Sequence, residues 1–280
     1  MTLPPLDVHG LLRQYNLEAR KSLGQNFLVD NSVLQRIVKV AEIPPQATVL
    51  EVGAGLGSLT RWLAISAQRV VAVETDGHLL PALRQVLAPF ENVSLIEGDI
   101  LKLDPATLVA NPGYWVVANI PYNITSALIR HLLEAKRRPS RMVLTVQREV
   151  AERIGAVPPK MSLLALSVQV YGKPHSVLRI LASAFYPAPQ VDSSVVRIDL
   201  YPEPLIPQEH LETFFRLAKA GFSQKRKTLR NSLSAGLQCS TGEAATLLES
   251  AGIDPQRRAE TLDLNEWGKL VAMAVNSQRL

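Results

Sequence analysis

From residue 46 to residue 146 the chain alternates short apolar, β-branched runs with stretches of helical character. This rhythm constrains the fold more than any other feature of the sequence. The runs are Thr48-Val-Leu-Glu-Val52, Val70-Val-Ala-Val-Glu74, Val93-Ser-Leu-Ile-Glu97, Trp115-Val-Val-Ala-Asn119 and Met142-Val-Leu-Thr-Val146. Helices are predicted around 58–66, 77–88, 124–135 and 147–154, with a weak one after 97. Near-continuous apolar strands separated by helices indicate a parallel sheet covered on both faces. The class is doubly wound α/β, with ligands expected beyond the carboxyl ends of the strands. Ser167-Val-Gln-Val-Tyr171 and Ser194-Val-Val-Arg-Ile-Asp-Leu200 read as later strands at the end of the sheet. Three prolines between 202 and 207 break any strand or helix, so the domain boundary is placed there: 1–203 as the α/β domain and 207–280 as a helical one. In the second, Ser240-Thr-Gly-Glu243 has the form of a capping box, Asp263 begins another helix, and Gly252 is a helix stop.

Composition removes several classes. With 47% apolar and 20% charged residues in 280, a sizeable core is available. Cys239 stands alone, which excludes an internal disulfide framework and a cysteine-rich zinc site, and the five histidines never fall at metal-ligand spacing. No metal is therefore expected. The longest uncharged stretch, 105–129, is interrupted by Pro105, Pro112 and Pro121, so no membrane span is predicted. The first residues show no basic segment leading into an apolar one, and a cytoplasmic chain is expected. The net charge of +5 hints at a polyanionic partner. Its location says more. Residues 219–230 hold five basic and no acidic side chains, a charge equal to the excess of the whole chain.

The sharpest local signal is Glu51-Val-Gly53-Ala-Gly55-Leu-Gly57, between a strand and a helix. Glycines there permit a tight turn and close backbone approach to a ligand. The dinucleotide pattern would need glycine at 58, where Ser58 stands. The observed spacing suits S-adenosylmethionine, which has no pyrophosphate to cradle. Glu74 ends the second strand, 21 residues after Gly53, where a carboxylate can accept from both ribose hydroxyls. Asp99, after the third strand, can accept from the exocyclic amine of an adenine. Each acid could equally cap the helix that follows, but three such features at successive strand ends favour an adenosyl-cofactor site.

The fourth strand runs into Asn119-Ile-Pro121-Tyr122. The exocyclic amine of adenine is a poor nucleophile, because its lone pair is delocalised into the ring. An amide oxygen on Asn119 and a backbone carbonyl held out by the Pro121 turn can accept both N–H bonds and favour tetrahedral nitrogen. Tyr122 offers a flat face on which a base can stack. The sulfonium leaves as a neutral thioether, so neither metal nor strong base is needed. Phe185, in Ala184-Phe-Tyr-Pro187, could close over the other face of a flipped-out base or could equally be a core residue anchoring a proline-rich loop.

These strings resemble, nearly end to end, the KsgA-type (RsmA) rRNA adenine N6,N6-dimethyltransferases of bacteria. The resemblance also rests on Lys21-Ser-Leu-Gly-Gln-Asn26-Phe-Leu28, Gln147-Arg-Glu-Val-Ala-Glu-Arg153, Val191-Asp-Ser-Ser-Val-Val-Arg197 and Phe222-Ser-Gln-Lys-Arg-Lys-Thr-Leu-Arg-Asn-Ser232. It implies a Rossmann-like S-adenosylmethionine-dependent methyltransferase domain with a small helical C-terminal domain. It further implies dimethylation of two adjacent adenosines in the 3′-terminal hairpin of 16S rRNA, late in assembly of the 30S subunit. Nothing in the sequence suggests an obligate dimer, and a monomer is expected. Carried over, Asn26 and the Leu28 backbone meet the methionine end of the cofactor, with Glu51, Gly53 and Gly55 in the turn around it. Glu74 meets the ribose, Asp99 the adenine, and Asn119 lies between cofactor and substrate, while Tyr122 and Phe185 sandwich the target base. The sequence departs at Ile120, where Leu is commoner, and around 158–166, which lacks a Tyr-Gly pair.

Lys225, Arg226, Lys227 and Arg230 are expected to grip rRNA phosphates from a helix, with Phe222 and Leu229 on its inner face. A solvated helix face is the bland alternative. Three rivals to the main function are a large-subunit rRNA methyltransferase of the resistance type, a non-catalytic ribosome assembly factor, and a nicotinamide oxidoreductase. The last lacks a Tyr-x-x-x-Lys pair.

Overall fold

The computed structural model describes residues 3–109 and 113–276. In chain order the elements are α1 (Val8–Gln14), β1 (Phe27–Leu28), α2 (Asn31–Ala41), β2 (Thr48–Val52), α3 (Ser58–Ala64), β3 (Arg69–Glu74), α4 (Leu80–Leu87), β4 (Val93–Glu97), α5 (Pro105–Leu108), β5 (Trp115–Asn119) and α6 (Thr125–Leu133). They continue with β6 (Arg141–Gln147), α7 (Arg148–Ile154), α8 (Leu163–Gln169), β7 (Gly172–Ile180), β8 (Phe185–Tyr186), β9 (Ser193–Leu200), α9 (Leu211–Phe222), α10 (Leu229–Leu237), α11 (Thr241–Ser250) and α12 (Leu264–Asn276). The chain divides into two compact units, Met1–Ala151 with Pro174–Leu200, and Glu152–Lys173 with Tyr201–Leu280.

The first unit is built on a seven-stranded sheet in the order β4-β3-β2-β5-β6-β9-β7. Neighbours from β4 to β6 run parallel, and β9 pairs antiparallel with β6 from Arg141↔Asp199 to Gln147↔Ser193. The apolar runs are strands because both faces are covered: Val49, Leu50, Val70, Val116, Val117, Val143 and Leu144 have no exposed surface. β3 and β4 extend the sheet to one side of β2, whereas β5 and β6 extend it to the other. The order therefore reverses between β2 and β5, the place where doubly wound sheets open a crevice at their carboxyl edge. The short strands β1 and β8 pair antiparallel as a separate ribbon, Phe27 opposite Tyr186 and Leu28 opposite Phe185.

Two expectations are corrected. Ser167–Tyr171 is not a strand, because most of it ends α8. Ser162 caps that helix by accepting the Ala165 N–H at 3.0 Å, and Leu164, Ala165, Leu166 and Val168 form its buried side. A five-residue alternation fits either period, and the capping serine decides between them. The segment from 152 to 173 also packs with the helical unit, so that unit takes residues from upstream of the proline run as well as downstream of it.

The helical unit has a core of its own, with Phe214, Leu217, Leu229, Leu233, Leu248, Leu262, Trp267 and Leu270 fully buried. Its capping box is formed as the sequence predicts: Ser240 Oγ accepts the Glu243 N–H at 3.1 Å, and Glu243 Oε2 accepts the Ser240 N–H at 2.8 Å. The basic string Lys225–Lys227 lies in the turn between α9 and α10 rather than on a helix, which corrects a further expectation. Thr228 is extended (ψ 155°), which ends one helix and starts the next with Leu229 buried. Phe222 stacks on Trp267 with ring centroids 6.0 Å apart. α9 and α10 meet at Gly236, where an added Cβ would lie 2.6 Å from Ala220 Cα. Among the described residues no helix is long and apolar enough to cross a membrane.

Gly236→Ala is therefore expected to destabilise the chain by about 1–3 kcal/mol, the usual cost of overpacking. A lowered denaturant midpoint with unchanged slope would show it.

Candidate active site

The crevice between β2 and β5 is a cavity of about 730 Å3, its open mouth included. Its floor is the turn that leaves β2. Gly53, Gly55 and Gly57 take φ of +74°, +58° and +85°, values that other residues rarely adopt. Gly53 and Ala54 both donate N–H to Val73 O (2.9 and 3.2 Å), which hooks the turn onto β3. A Cβ on Gly53 would sit 3.7 Å from Asn119 O and from Pro121 Cδ, inside the space across which β2 and β5 face each other. That cradle suits a ligand which must touch backbone.

Glu74, the last residue of β3, closes the turn from the side. Its Oε2 accepts the Gly55 N–H at 2.7 Å and its Oε1 accepts the Asp76 N–H at 2.8 Å. Burial pushes its carboxyl above the usual carboxylate range, and the backbone donors pull it back. Each oxygen keeps a lone pair for a further donor, and Glu74 lines the cavity. Asp99 lines it too. Its Oδ1 accepts the Leu101 N–H at 3.1 Å, and Lys102 Nζ stands 3.8 Å from Oδ2, so it both shapes the loop after β4 and offers free acceptor positions.

Asn119 ends β5 with its amide fixed: Nδ2 donates to the backbone oxygen of Asn26 at 3.0 Å. The carbonyl partner dictates which end of the amide points where, and Oδ1 remains as an acceptor. Asn26 Nδ2 in turn donates to Gly24 O at 3.2 Å. Tyr122 begins a 3-10 turn after Pro121, and its hydroxyl is 2.6 Å from Ser193 Oγ. Burial raises its phenol pKa, an effect the Ser193 bond opposes.

Asn26, Gly53, Gly55, Glu74, Asp99, Asn119, Pro121 and Tyr122 thus line one cavity. Three other residues singled out in the sequence do not. Leu28 is 3% exposed and its strand pairs with Phe185; Phe27 takes the cavity wall instead. Phe185 is 4% exposed and packs in the same hydrophobic core cluster as Leu28, its partner across the β1–β8 ribbon. Glu51 is 1% exposed beneath the turn, its Oε2 has no hydrogen-bond partner, and burial pushes its pKa up to about 8.

Other contributors went unread. Asp76, 3% exposed, accepts from Gln25 Nε2 at 2.8 Å and from Arg20 Nη1 at 3.3 Å, tying the 20–26 segment to the end of β3. The string Gly24-Gln25-Asn26 carried the signal, but its partner lies fifty residues downstream. In the helical unit, Lys225, Arg226 and Lys227 are exposed and Arg230 is half-buried, its Nε 3.4 Å from Asn231 Oδ1. Among the described residues no three His, Cys, Asp or Glu side chains gather as a metal-holding group.

Compared with known proteins, residues 16–275 match the model of the ribosomal RNA adenine dimethylase family. The chain belongs to that family. A curated member from Dehalococcoides mccartyi, "Ribosomal RNA small subunit methyltransferase A", is 47% identical over 262 residues, 93% of this chain and 90% of the relative. One of the same name from Moorella thermoacetica is 42% identical over 271 residues, 93% and 94% of the two chains. Among solved structures, a dimethyladenosine transferase from Plasmodium falciparum superposes with a TM-score of 0.77 at 25% identity, covering 90% of this chain and 98% of the other. The 23S rRNA methyltransferase ErmE gives 0.72 at 28% identity, covering 89% and 99%. The fold of this dimethylase is accordingly the Rossmann-like methyltransferase fold, and the chain is an rRNA adenine methyltransferase by family.

Glu51 generates a test. An unfolded glutamate loses its proton near 4.5, whereas folded Glu51 keeps it to about 8. Its contribution to stability is therefore full below pH 4.5 and is lost as pH rises to 8. Glu51→Gln should remove that loss, so thermal unfolding at pH 8.5 and pH 5 should differ less in the variant. The difference should be a few kcal/mol, at about 1.4 kcal/mol per pH unit.

Proposed function

We propose that the chain dimethylates two adjacent adenosines in the 3′-terminal hairpin of 16S rRNA, in the 30S subunit or its precursor, as a cytoplasmic monomer using S-adenosylmethionine. The observation that carries the reading is the Asn119 amide, oriented by the Asn26 carbonyl and sharing a cavity with Glu74, Asp99 and the glycine turn. The residues fit the cofactor: Gly53 leaves the space a side chain would fill, Glu74 holds spare acceptors for ribose hydroxyls, and Asp99 does so for an adenine amine. Asn26 and Gly55 border the remaining wall. When bound, S-adenosylmethionine supplies an electrophilic methyl carbon on a positively charged sulfur.

The chain's own part is to make N6 of the target adenine nucleophilic. Asn119 Oδ1 accepts one N–H, and the carbonyl of Ile120, held out by Pro121, accepts the other. Both bonds favour a pyramidal nitrogen whose lone pair has left the ring. Tyr122 gives the base a stacking face worth ~1–3 kcal/mol. We assign stacking to Tyr122 alone, since Phe185 packs the wall from inside. The step as written needs neither metal nor strong base, since the amine proton can pass to water after methyl transfer. In the helical unit, the exposed turn Lys225–Lys227 with Arg230 would neutralise RNA phosphates. The two relatives named for the small subunit share 42–47% identity with the chain, against 28% for the large-subunit enzyme, which favours the small-subunit target.

Incubation with labelled S-adenosylmethionine and 30S particles lacking these methyl groups should place label on two neighbouring adenosines of 16S rRNA. Label on free 23S rRNA alone would replace the reading with the large-subunit one, and no label would favour a non-catalytic assembly factor. In the same assay Asn119→Ala should lower kcat by about 10²–10³-fold, as for other lost transition-state hydrogen bonds. Four phosphate contacts give log K against log salt a slope of roughly −3 to −4, and replacing Lys225, Arg226 and Lys227 by alanine should flatten it by about 2–3. Unchanged 30S binding by that triple variant would remove the phosphate assignment.

A further inference from the structure

Tyr122 has two side-chain torsions, and the outer one, between tetrahedral and planar carbon, is broad. Its hydroxyl, however, meets Ser193 Oγ at 2.6 Å, and Ser193 has no exposed surface. Ser193 opens β9, opposite Gln147 of β6, so it is anchored in the sheet. The neighbouring Ser194 turns to the opposite face and donates to Leu178 O at 3.1 Å. The alternation along β9 thus commits Ser193 alone to the tyrosine. The contact fixes the inner torsion by holding the oxygen in place. The oxygen lies on the axis of the outer torsion, which the bond sets through the preference of a phenol hydroxyl, conjugated with its ring, to hydrogen-bond in the ring plane.

We propose that Ser193 is a positioning residue, holding the Tyr122 ring in the plane against which the target base must lie for N6 to be aimed. The proposal rests on the methyl-transfer reading above. It explains why a tyrosine serves where phenylalanine would stack as well: the hydroxyl is a tether and takes no part in the chemistry. It also brings the first residue of an antiparallel strand to a site where Glu74 and Asn119 end parallel ones.

The test is a cycle of Ser193→Ala, Tyr122→Phe and the double variant, assayed on 30S particles, with Ser193→Thr as the variant that keeps a hydroxyl. Each single change should lower kcat about 3- to 10-fold, the scale of one hydrogen bond, with KM for S-adenosylmethionine unchanged. The double variant should be no slower than the slower single one, and Ser193→Thr should recover most of the rate. A second readout needs no turnover. A hairpin RNA with 2-aminopurine at the target position should be quenched on binding together with S-adenosylhomocysteine, and less so with Ser193→Ala. Single effects that multiply in the double variant would overturn the proposal, as would a Ser193→Ala chain equal to wild type in rate and quenching. If Ser193→Ala fails to fold, Tyr122→Phe breaks the same bond from the exposed side, and unchanged rate and quenching there overturn it equally. Failure of the unaltered chain to methylate any adenine would instead remove the underlying reading.

Discussion

Between β2 and β5 the sheet changes direction of growth, and the gap this leaves is what every site residue addresses. The two strand ends, Val52 and Asn119, open onto the same space. The glycine turn is possible because Gly53 needs no side chain there, and Glu74 makes it permanent by accepting a turn N–H. The 20–26 segment is then drawn over the opening by Asp76, which brings the Asn26 carbonyl to the Asn119 amide. The chemistry sits at the end of a chain of restraints that starts with strand order.

The strands were legible because burial on both faces writes a continuous apolar run, and 48–52, 93–97 and 115–119 are strands with those bounds. The residues at their carboxyl ends were legible for the same reason, since strand ends locate the crevice. Three kinds of feature were not. Helix and strand periods coincide over five residues, which hid the end of α8. Burial is not written at a single aromatic position, so the sequence leaves Phe185 between a base-closing residue and a core residue, and its 4% exposure favours the core. Long-range polar pairs such as Asp76 with Gln25, or Tyr122 with Ser193, leave no local pattern, because each partner is ordinary in its own neighbourhood.

Charge was legible as a location and misleading as a structure. The sequence suggests a helix for Lys225–Lys227, yet these three consecutive cations occupy an exposed turn that leads into the buried Leu229. A turn spreads adjacent side chains in several directions, where a helix would set them a hundred degrees apart along an axis.

The division of the chain has a topological consequence. The backbone passes from one unit to the other at 151, returns at 173 and leaves again at 200. Neither piece can be released by a single cut. Removing everything after 200 would strip α8 of α9, its packing partner, and leave Leu164, Leu166 and Val168 looking for cover on a fragment that ought to be self-sufficient. The helical part is thus less an appendage than a stitched-in piece, and any exchange of it between relatives has to carry residues 152–173 along.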